Sequence, residues 1–495
     1  MQRAAFRVAS LVEPPQADGR DLARLAGAAE ALEVRADRVG DLDPDWLRGF
    51  FPGPLLYTLR SRAEGGGFSG ARERRSRRLI EAAKRYDWVD LEADRDLSPE
   101  LLAALPPERR IVSWHGPATD LPGLAARFAH LAKTPARLYK LVPAAIHSGE
   151  ELVPLRLLAA SGRDDLVAFA GGEVGFWTRL VAPRLGAPWI FAAAGESPAA
   201  PGQLPLWRLN ADYGLPELPP ARSLAGVVGA PALGSLSPRL HNAAYRALDL
   251  PLLYVPFEAP HFGDFWLELV ETEALAEIGL RLAGFSVTTP HKEVALAVSG
   301  AASPLAQAIG AANCLVPNRG VWEAESTDAE GVVEALVARR VRIAGRAAAV
   351  LGGGGAGRAA ALGLARAGAR VAVVQRDPAR GRATAARLGL PFIPRAELDP
   401  RRFDLLVNAT PLGRAAADEL PAPVAELERH AVVVDLVYGG EPTRWVADAR
   451  RRGLVAIDGR EVLIFQARPQ FRAMTGHDLP LGLAWKLAGL AEESA

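Results

Sequence analysis

Lysine is scarce in this chain, so each one is worth placing. Five occur, Lys84, Lys133, Lys140, Lys292 and Lys486, among 58 basic residues. Arginine supplies the rest, a bias that a GC-rich genome also produces. A guanidinium stays protonated, whereas an amine can lose its proton and attack a carbonyl. Lys140 lies in "LYKL", beside apolar Leu138 and Leu141. Such a setting lowers an amine's pKa and prepares it to form a Schiff base with a ketone. His115, in "SWHG", titrates near neutrality and suits proton transfer at an adjacent carbon. Two readings stand: a nucleophile and its base, or a salt-bridged lysine and a packed histidine. Glu33, Arg35, Arg60 and Glu92 also end otherwise apolar runs. Glu33 and Arg35 are two apart, so they share one side of a strand. They would hold a polar ligand or form an ion pair with each other.

A second set of residues could bind a dinucleotide. In "RAAAVLGGGGAGRAAALGLARAGARVAVVQRD" an apolar run enters a glycine loop, then a small-residue helix, then a second apolar run. Gly352, Gly354, Gly355 and Ala356 would let the backbone approach a pyrophosphate, which the helix N-terminus attracts. The second run ends at Gln375, Arg376 and Asp377, with Arg380 nearby. An arginine here pairs with the extra phosphate of NADP, and a carboxylate accepts from the ribose of NAD. Arg376 and Arg380 favour NADP, Asp377 argues against it, and an arginine-rich surface is the bland alternative.

These residues need elements to hold them. Eight short apolar runs recur: 7–12, 32–35, 55–60, 88–92, 111–115, 138–142, 166–170 and 189–193. Helix-like stretches such as 71–85 and 121–133 separate most of them. Eight βα units in about 215 residues predict a (β/α)8 TIM barrel, with a doubly wound sheet as the alternative. The barrel places its polar strand ends at one face, as Lys140 and His115 require. "GLPELPPAR" (214–222) then reads as a stiff connection. Runs at 224–228, 252–257, 283–287 and 312–316 predict a first α/β lobe. Runs at 405–408, 432–436 and 454–457 continue the parallel sheet that the glycine loop implies. The expected domains are a barrel at 1–215, a linker at 216–222, and a catalytic lobe at 223–335. A nucleotide lobe at 336–460 and C-terminal helices at 461–495 complete the chain.

Composition excludes several classes. The net charge is +1 and 49% of residues are apolar, which argues against a nucleic-acid binder and a disordered chain. The single cysteine, Cys314, excludes an internal disulfide and a cysteine-built zinc site. No apolar run reaches membrane-spanning length, and the apolar stretch in "MQRAAFRVASLVEPP" is short for a signal peptide. A cytoplasmic protein with no metal and no membrane partner is expected.

The second half resembles shikimate dehydrogenase, through "SLSPRLHN", "FSVTTPHK", "GAANCL", "STDAEG", "GGGGAGRA", "NATPLG", "DLVY" and "DGREVLIFQA". The first half resembles type I 3-dehydroquinate dehydratase, through "EVRAD", "LRSRAEGG", "VDLE", "SWHG", "LYKL", Arg179 and "APGQ". Together they resemble the fused dehydratase–dehydrogenase of the shikimate pathway, which implies a barrel followed by a two-lobed enzyme with a Rossmann NADP-binding lobe.

The resemblance assigns roles. In the first half Lys140 forms the Schiff base with 3-dehydroquinate, His115 moves the proton, and Glu64 orients the histidine. Arg60 and Arg179 bind the substrate carboxylate and hydroxyls, while Glu33, Arg35 and Gln203 hold ring hydroxyls. This half needs no cofactor. Ala199 stands where the family has a serine, so one loop hydroxyl is missing. In the second half Lys292 and Asp328 protonate the ketone of 3-dehydroshikimate as NADPH reduces it to shikimate. Ser235 and Ser237 bind the carboxylate, and Thr288, Asn313, Tyr438 and Gln466 complete the hydroxyl contacts. Ser235 and Ser237 also suit a plain helix cap. Thr410 and Gly459 join the cofactor contacts. Ser326 replaces the family's asparagine, and Cys314 its threonine. A quinate-using second half and a non-catalytic regulator are the alternatives. The four residues Lys140, His115, Lys292 and Asp328 oppose the regulator, and the serine pair opposes quinate. No obligatory protein partner is expected.

Overall fold

The computed structural model describes residues 4–217, 221–415 and 417–490. The expected linker 216–222 therefore lies partly outside the described residues, at 218–220, and so do both termini, 1–3 and 491–495. The chain forms two compact units: Met1–Leu224, Gly229–Ser235 and Asp249–Leu282 in one, Ala225–Val228, Leu236–Leu248 and Ala283–Ala495 in the other.

In the first unit eight strands run in chain order: β1 (Phe6–Leu11), β2 (Ala31–Arg35), β3 (Leu55–Thr58), β4 (Trp88–Glu92), β5 (Arg110–Gly116), β6 (Leu138–Pro143), β7 (Leu166–Ala168) and β8 (Trp189–Ala193). They form one parallel sheet in the order β7-β6-β5-β4-β3-β2-β1-β8, a nearly closed barrel. The expected runs mark all eight, although the third strand stops at Thr58 and so leaves Arg60 in the following loop. Helices Arg72–Arg85 and Leu121–Leu131 cover the outside, the second capped by the Asp120 carboxylate on the Gly123 N–H. The two ends of the strands differ in chemistry. Phe6, Trp88 and Trp189 cluster at the strand starts, with ring centroids 4.8–6.0 Å apart. His115 is the penultimate residue of β5, toward the strand ends where such barrels place their chemistry, whereas Lys140, expected at its strand's end, is third of six in β6. Register sets the depth: Ser113 pairs with Lys140 across β5 and β6, and His115 is one pleat higher on the same side.

The remaining strands follow. They are β9 (Ser223–Gly229), β10 (Leu252–Glu258), β11 (Arg281–Val287), β12 (Ala301–Ala302), β13 (Cys314–Asn318) and β14 (Val321–Glu325). In the second unit β11, β13, β14 and β12 are neighbours in that order. Here β13 pairs antiparallel with both β11 and β14. The turn Arg319–Gly320, both at positive φ, joins β13 to β14, the hairpin geometry that glycine favours.

The last sheet is β15 (Ala347–Leu351), β16 (Arg370–Gln375), β17 (Phe392–Pro394), β18 (Leu405–Asn408), β19 (Val432–Asp435) and β20 (Val455–Ile457). Its order is β17-β16-β15-β18-β19-β20, all parallel. Numbered from β15, that is 3-2-1-4-5-6, the Rossmann order with its switch point between β15 and β18. Val350, Val373, Val407, Val434 and Ile457 are buried together, as strands covered on both faces require. Each contributes roughly 1.5–3 kcal/mol of apolar burial. Asp458 and Glu461 form a capping box that starts helix Gly459–Thr475. Among the described residues no helix is long and apolar enough to cross a membrane.

Candidate active sites

One cavity of about 420 Å³ opens in the first unit. Its lining includes Glu33, Arg35, Arg60, Glu64, His115, Lys140, Arg179 and Gln203, all eight residues expected of the dehydratase half. Lys140 is buried, its Nζ 3.7 Å from the centre of the Phe191 ring. Burial lowers its pKa to about 8, although the Glu33 and Asp90 carboxylates pull the other way. His115 is only 22% exposed, and its Nδ1 lies 3.1 Å from Glu64 Oε2. Loss of water and the charges of Arg60 and Lys140 press its pKa well down, so the imidazole is neutral. Burial pushes Glu64 up to about 8, against the pull of Arg60.

Three arginines line this cavity in different states. Arg35 is held bidentately by Asp37, at 2.9 Å to each oxygen. Arg60 donates to Glu64 at 2.9 Å, Ser113 at 3.0 Å and Asp90 at 2.9 Å. These carboxylates raise its pKa despite burial. Its expected role as a substrate binder therefore meets a competitor, since its terminal nitrogens already serve the protein. Arg179 lies over the Phe169 ring, 4.2 Å from the centroid, with no hydrogen-bond partner at Nε. Burial alone lowers its pKa to about 10. A buried guanidinium without a counterion is costly, and a carboxylate ligand would relieve that cost with two parallel hydrogen bonds.

The sequence reading missed Ser10, Thr58, Asp90 and Ser113 in this polar layer. Ser10 and Thr58 donate to Glu33 at 2.5 and 2.8 Å. Ser113 donates to Asp90 at 2.7 Å. The two-residue alternation was available as a signal, because Ser113 precedes His115 by two and Asp90 precedes Glu92 by two. Ala199 keeps its place through the backbone: its N–H donates to Gln203 Oε1 at 2.7 Å, and its carbonyl accepts from Arg35 at 3.2 Å.

In the second unit Lys292 opens helix Lys292–Val298 and Asp328 opens helix Asp328–Ala338. Lys292 Nζ donates to Asp328 Oδ2 at 2.5 Å, and Asn313 Nδ2 donates to Oδ1 at 2.8 Å. Thr327 N donates to Asn313 Oδ1 at 2.7 Å. Gln470 donates to the Asn313 carbonyl at 3.1 Å and accepts from Ser286 at 2.6 Å. Thr327, Gln470 and Ser286 were not foreseen, although Gln470 is one helical turn beyond Gln466 and shares its face. Thr288 begins the turn into Lys292, its N–H on Val228 and its carbonyl accepting from His291. Gln466 packs beside Gly331, where an added Cβ would lie 2.8 Å from its own Cβ. Ser237 is buried at the start of helix Ser237–Ala247, Tyr438 is half-buried, and Ser235 is half-buried in the first unit. Cys314 is buried, its thiol pushed up to about 12.

The glycine loop meets this pair. An added Cβ on Gly355 would sit 3.2 Å from the Lys292 side chain. On Gly352, at φ +109°, it would strike the Ala409 carbonyl at 2.7 Å and Thr410 at 3.1 Å. Gly354 faces open space, so the loop presents bare backbone at the helix N-terminus. Gln375 Oε1 is buried without a hydrogen-bond partner near this loop. These features fit a dinucleotide. Asp377 accepts from the N–H groups of Ala379 and Arg380 as cap of helix Pro378–Leu388, which supplies a structural reason for the carboxylate that argued against NADP. Gly459 has a packing reason: its added Cβ would lie 2.5 Å from the Val437 carbonyl. Arg358 braces the loop, donating to the carbonyls of Gly353 at 3.1 Å, Ile309 at 2.7 Å and Gly310 at 3.2 Å, and to Glu293 at 2.7 Å.

Comparison with known proteins agrees with both halves. Residues 9–217 match the family Type I 3-dehydroquinase, and residues 227–315 match the Shikimate dehydrogenase substrate binding domain. Residues 348–483, a stretch that opens on the strand–glycine loop–helix unit of this chain, match the family FAD binding domain. The bifunctional 3-dehydroquinate dehydratase/shikimate dehydrogenase of Arabidopsis thaliana, a chloroplastic protein, is 28% identical over 93% of this chain and 80% of its own length. The shikimate dehydrogenase (NADP(+)) of Rubrobacter xylanophilus is 37% identical over 54% of this chain and 96% of its own length. This chain belongs to the bifunctional type I 3-dehydroquinase–shikimate dehydrogenase family. It joins a lyase and an oxidoreductase of the shikimate pathway in one polypeptide. Among solved structures, the shikimate 5-dehydrogenase of Thermus thermophilus in complex with NADP(H) and shikimate is 34% identical over 54% of this chain and 98% of its own, with a TM-score of 0.49.

Proposed function

We propose that the barrel dehydrates 3-dehydroquinate to 3-dehydroshikimate and that the second half reduces this product to shikimate with NADPH. The observation that carries the reading is the buried Lys140, at a lowered pKa, sharing one cavity with the His115–Glu64 pair. The neutral amine attacks the substrate ketone and loses water to give an iminium, which acidifies the neighbouring C–H. His115 takes that proton through Nε2, while Glu64 holds Nδ1. The proton then goes to the departing hydroxyl, and water hydrolyses the iminium to free product and Lys140. Arg179 takes the substrate carboxylate. Glu33, Arg35 and Gln203 hold the ring hydroxyls, and Arg60 fixes Glu64 and Asp90 through its hydrogen bonds. No step in this half calls for a cofactor.

In the second half, a bound nicotinamide dinucleotide supplies the hydride. Lys292 protonates the oxygen that becomes the alkoxide. Asp328 aims that ammonium through a 2.5 Å hydrogen bond, and Asn313 fixes Asp328. Ser235, Ser237, Thr288, Tyr438 and Gln466 bind the substrate carboxylate and hydroxyls. Gly352, Gly354, Gly355, Ala356, Gln375, Thr410 and Gly459 form the cofactor cradle, with Arg376 and Arg380 at the ribose end. The lone buried thiol supports a cytoplasmic location, and both steps proceed on one chain with no obligatory protein partner.

Feeding 3-dehydroquinate with NADPH or NADH and following both products tests the whole reading. NADPH should give the higher kcat/KM in the second step. A charge-assisted pair is worth about 1.5–3 kcal/mol, less when exposed, so roughly tenfold preference is expected. Arg376→Ala should remove most of it. Equal use of both cofactors by the unmodified chain would reject the arginine reading.

The dehydratase step should also depend on pH. The neutral fraction of Lys140 grows as pH rises through about 8, and Glu64 loses its proton over the same range. With NADPH omitted, kcat/KM should climb below that point by about tenfold per unit for each of these deprotonations, up to about a hundredfold for both. A flat profile from about pH 6 to 9 would contradict this assignment.

A further inference from the structure

We infer that Asp37 is a positioning residue for the dehydratase reaction, one carboxylate that fixes both Arg35 and the loop bearing Glu64. This rests on the dehydratase reading above. The Asp37 side chain is fully buried and is not part of the cavity lining. Its Oδ1 accepts from Arg35 Nε at 2.9 Å and from Arg60 N at 3.3 Å. Its Oδ2 accepts from Arg35 Nη2 and from Gly67 N, both at 2.9 Å. Four donors fill the two oxygens, so the carboxylate has no acceptor site left for a ligand.

The two backbone donors bracket Glu64. Arg60 and Gly67 are the ends of a tight loop, closed by Arg62 N on the Phe68 carbonyl at 3.0 Å and Gly66 N on the Ser61 carbonyl at 2.8 Å. An added Cβ on Gly67 would lie 2.6 Å from the Asp37 carbonyl, so only glycine lets the loop seat this closely. Glu64, held between the two pins, reaches His115. On the other side, Arg35 spends one more N–H on the Ala199 carbonyl. The loop in which alanine replaces the family's serine is thus held by a guanidinium that Asp37 orients. Of the five donors of Arg35, two remain for substrate.

The geometry separates two effects of Asp37. Through Arg35 it sets substrate affinity, and through the loop it sets the His115–Glu64 pair and therefore turnover. In the full-length chain Asp37→Asn should raise KM for 3-dehydroquinate about tenfold and lower kcat about tenfold. In an Arg35→Ala background the same change should still lower kcat but no longer move KM. Persistence of the full KM rise in that background would overturn the inference, as would kcat and KM both staying within about twofold in Asp37→Asn. Should Asp37→Asn lose its cooperative melt, Gly66→Ala, whose added Cβ would strike the Arg60 carbonyl inside the loop, displaces the loop without striking Asp37 and should lower kcat with KM kept. An equal change in both constants would then overturn it. Failure of the unmodified chain to dehydrate 3-dehydroquinate would instead reject the underlying reading.

Discussion

Lys140→Ala should abolish consumption of 3-dehydroquinate and leave reduction of added 3-dehydroshikimate intact. Among the described residues that line the cavity, Lys140 carries the only amine, so no neighbour replaces it. Its removal should cost on the order of 10⁴-fold or more in kcat. Alanine also leaves Phe191 without the cation 3.7 Å above its ring, a packing loss that the wide cavity tolerates. Borohydride added during turnover of the unmodified chain should fix substrate mass on Lys140, read by peptide mass spectrometry. An adduct on Lys133 instead, or loss of both activities in a folded Lys140→Ala protein, would break the two-site assignment.

Lys292→Ala should do the reverse. Shikimate formation should fall about 10²–10⁴-fold, the usual worth of a positioned proton donor. Meanwhile 3-dehydroshikimate should accumulate from 3-dehydroquinate at the unmodified rate. The substitution leaves Asp328 without its cation at 2.5 Å, although Asn313 still donates to it at 2.8 Å. A protein that retains more than about a tenth of its reductase activity would show that another group delivers the proton.

Much of this arrangement was legible in the sequence because it rests on local patterns. The runs that carry Lys140 and His115 are short and mostly apolar, and the structure makes each a strand of the barrel. The strand–glycine loop–helix unit at 347–375 likewise announces its own geometry. What stayed hidden depends on partners distant in sequence. Arg60 looked like a ligand for substrate, yet Asp90 and Ser113, 30 and 53 residues away, claim its donors. Asp377 looked like a ribose acceptor, but its partners are the first amides of the next helix. Strand β14 was missed because "VWEAE" mixes charge with apolar residues and is defined by pairing with β13.

Arg358 has a consequence for engineering. Its four hydrogen bonds tie the nucleotide-binding loop to the turn before Ala311 and to Glu293, the neighbour of Lys292. A loop grafted here to accept a different cofactor would inherit that tether or sever it. Severed, the new loop could bind its nucleotide well and still present it at the wrong distance from the lysine. Libraries that vary 352–357 should therefore hold Arg358 and Glu293 constant, and selection on binding alone would reward the wrong clones.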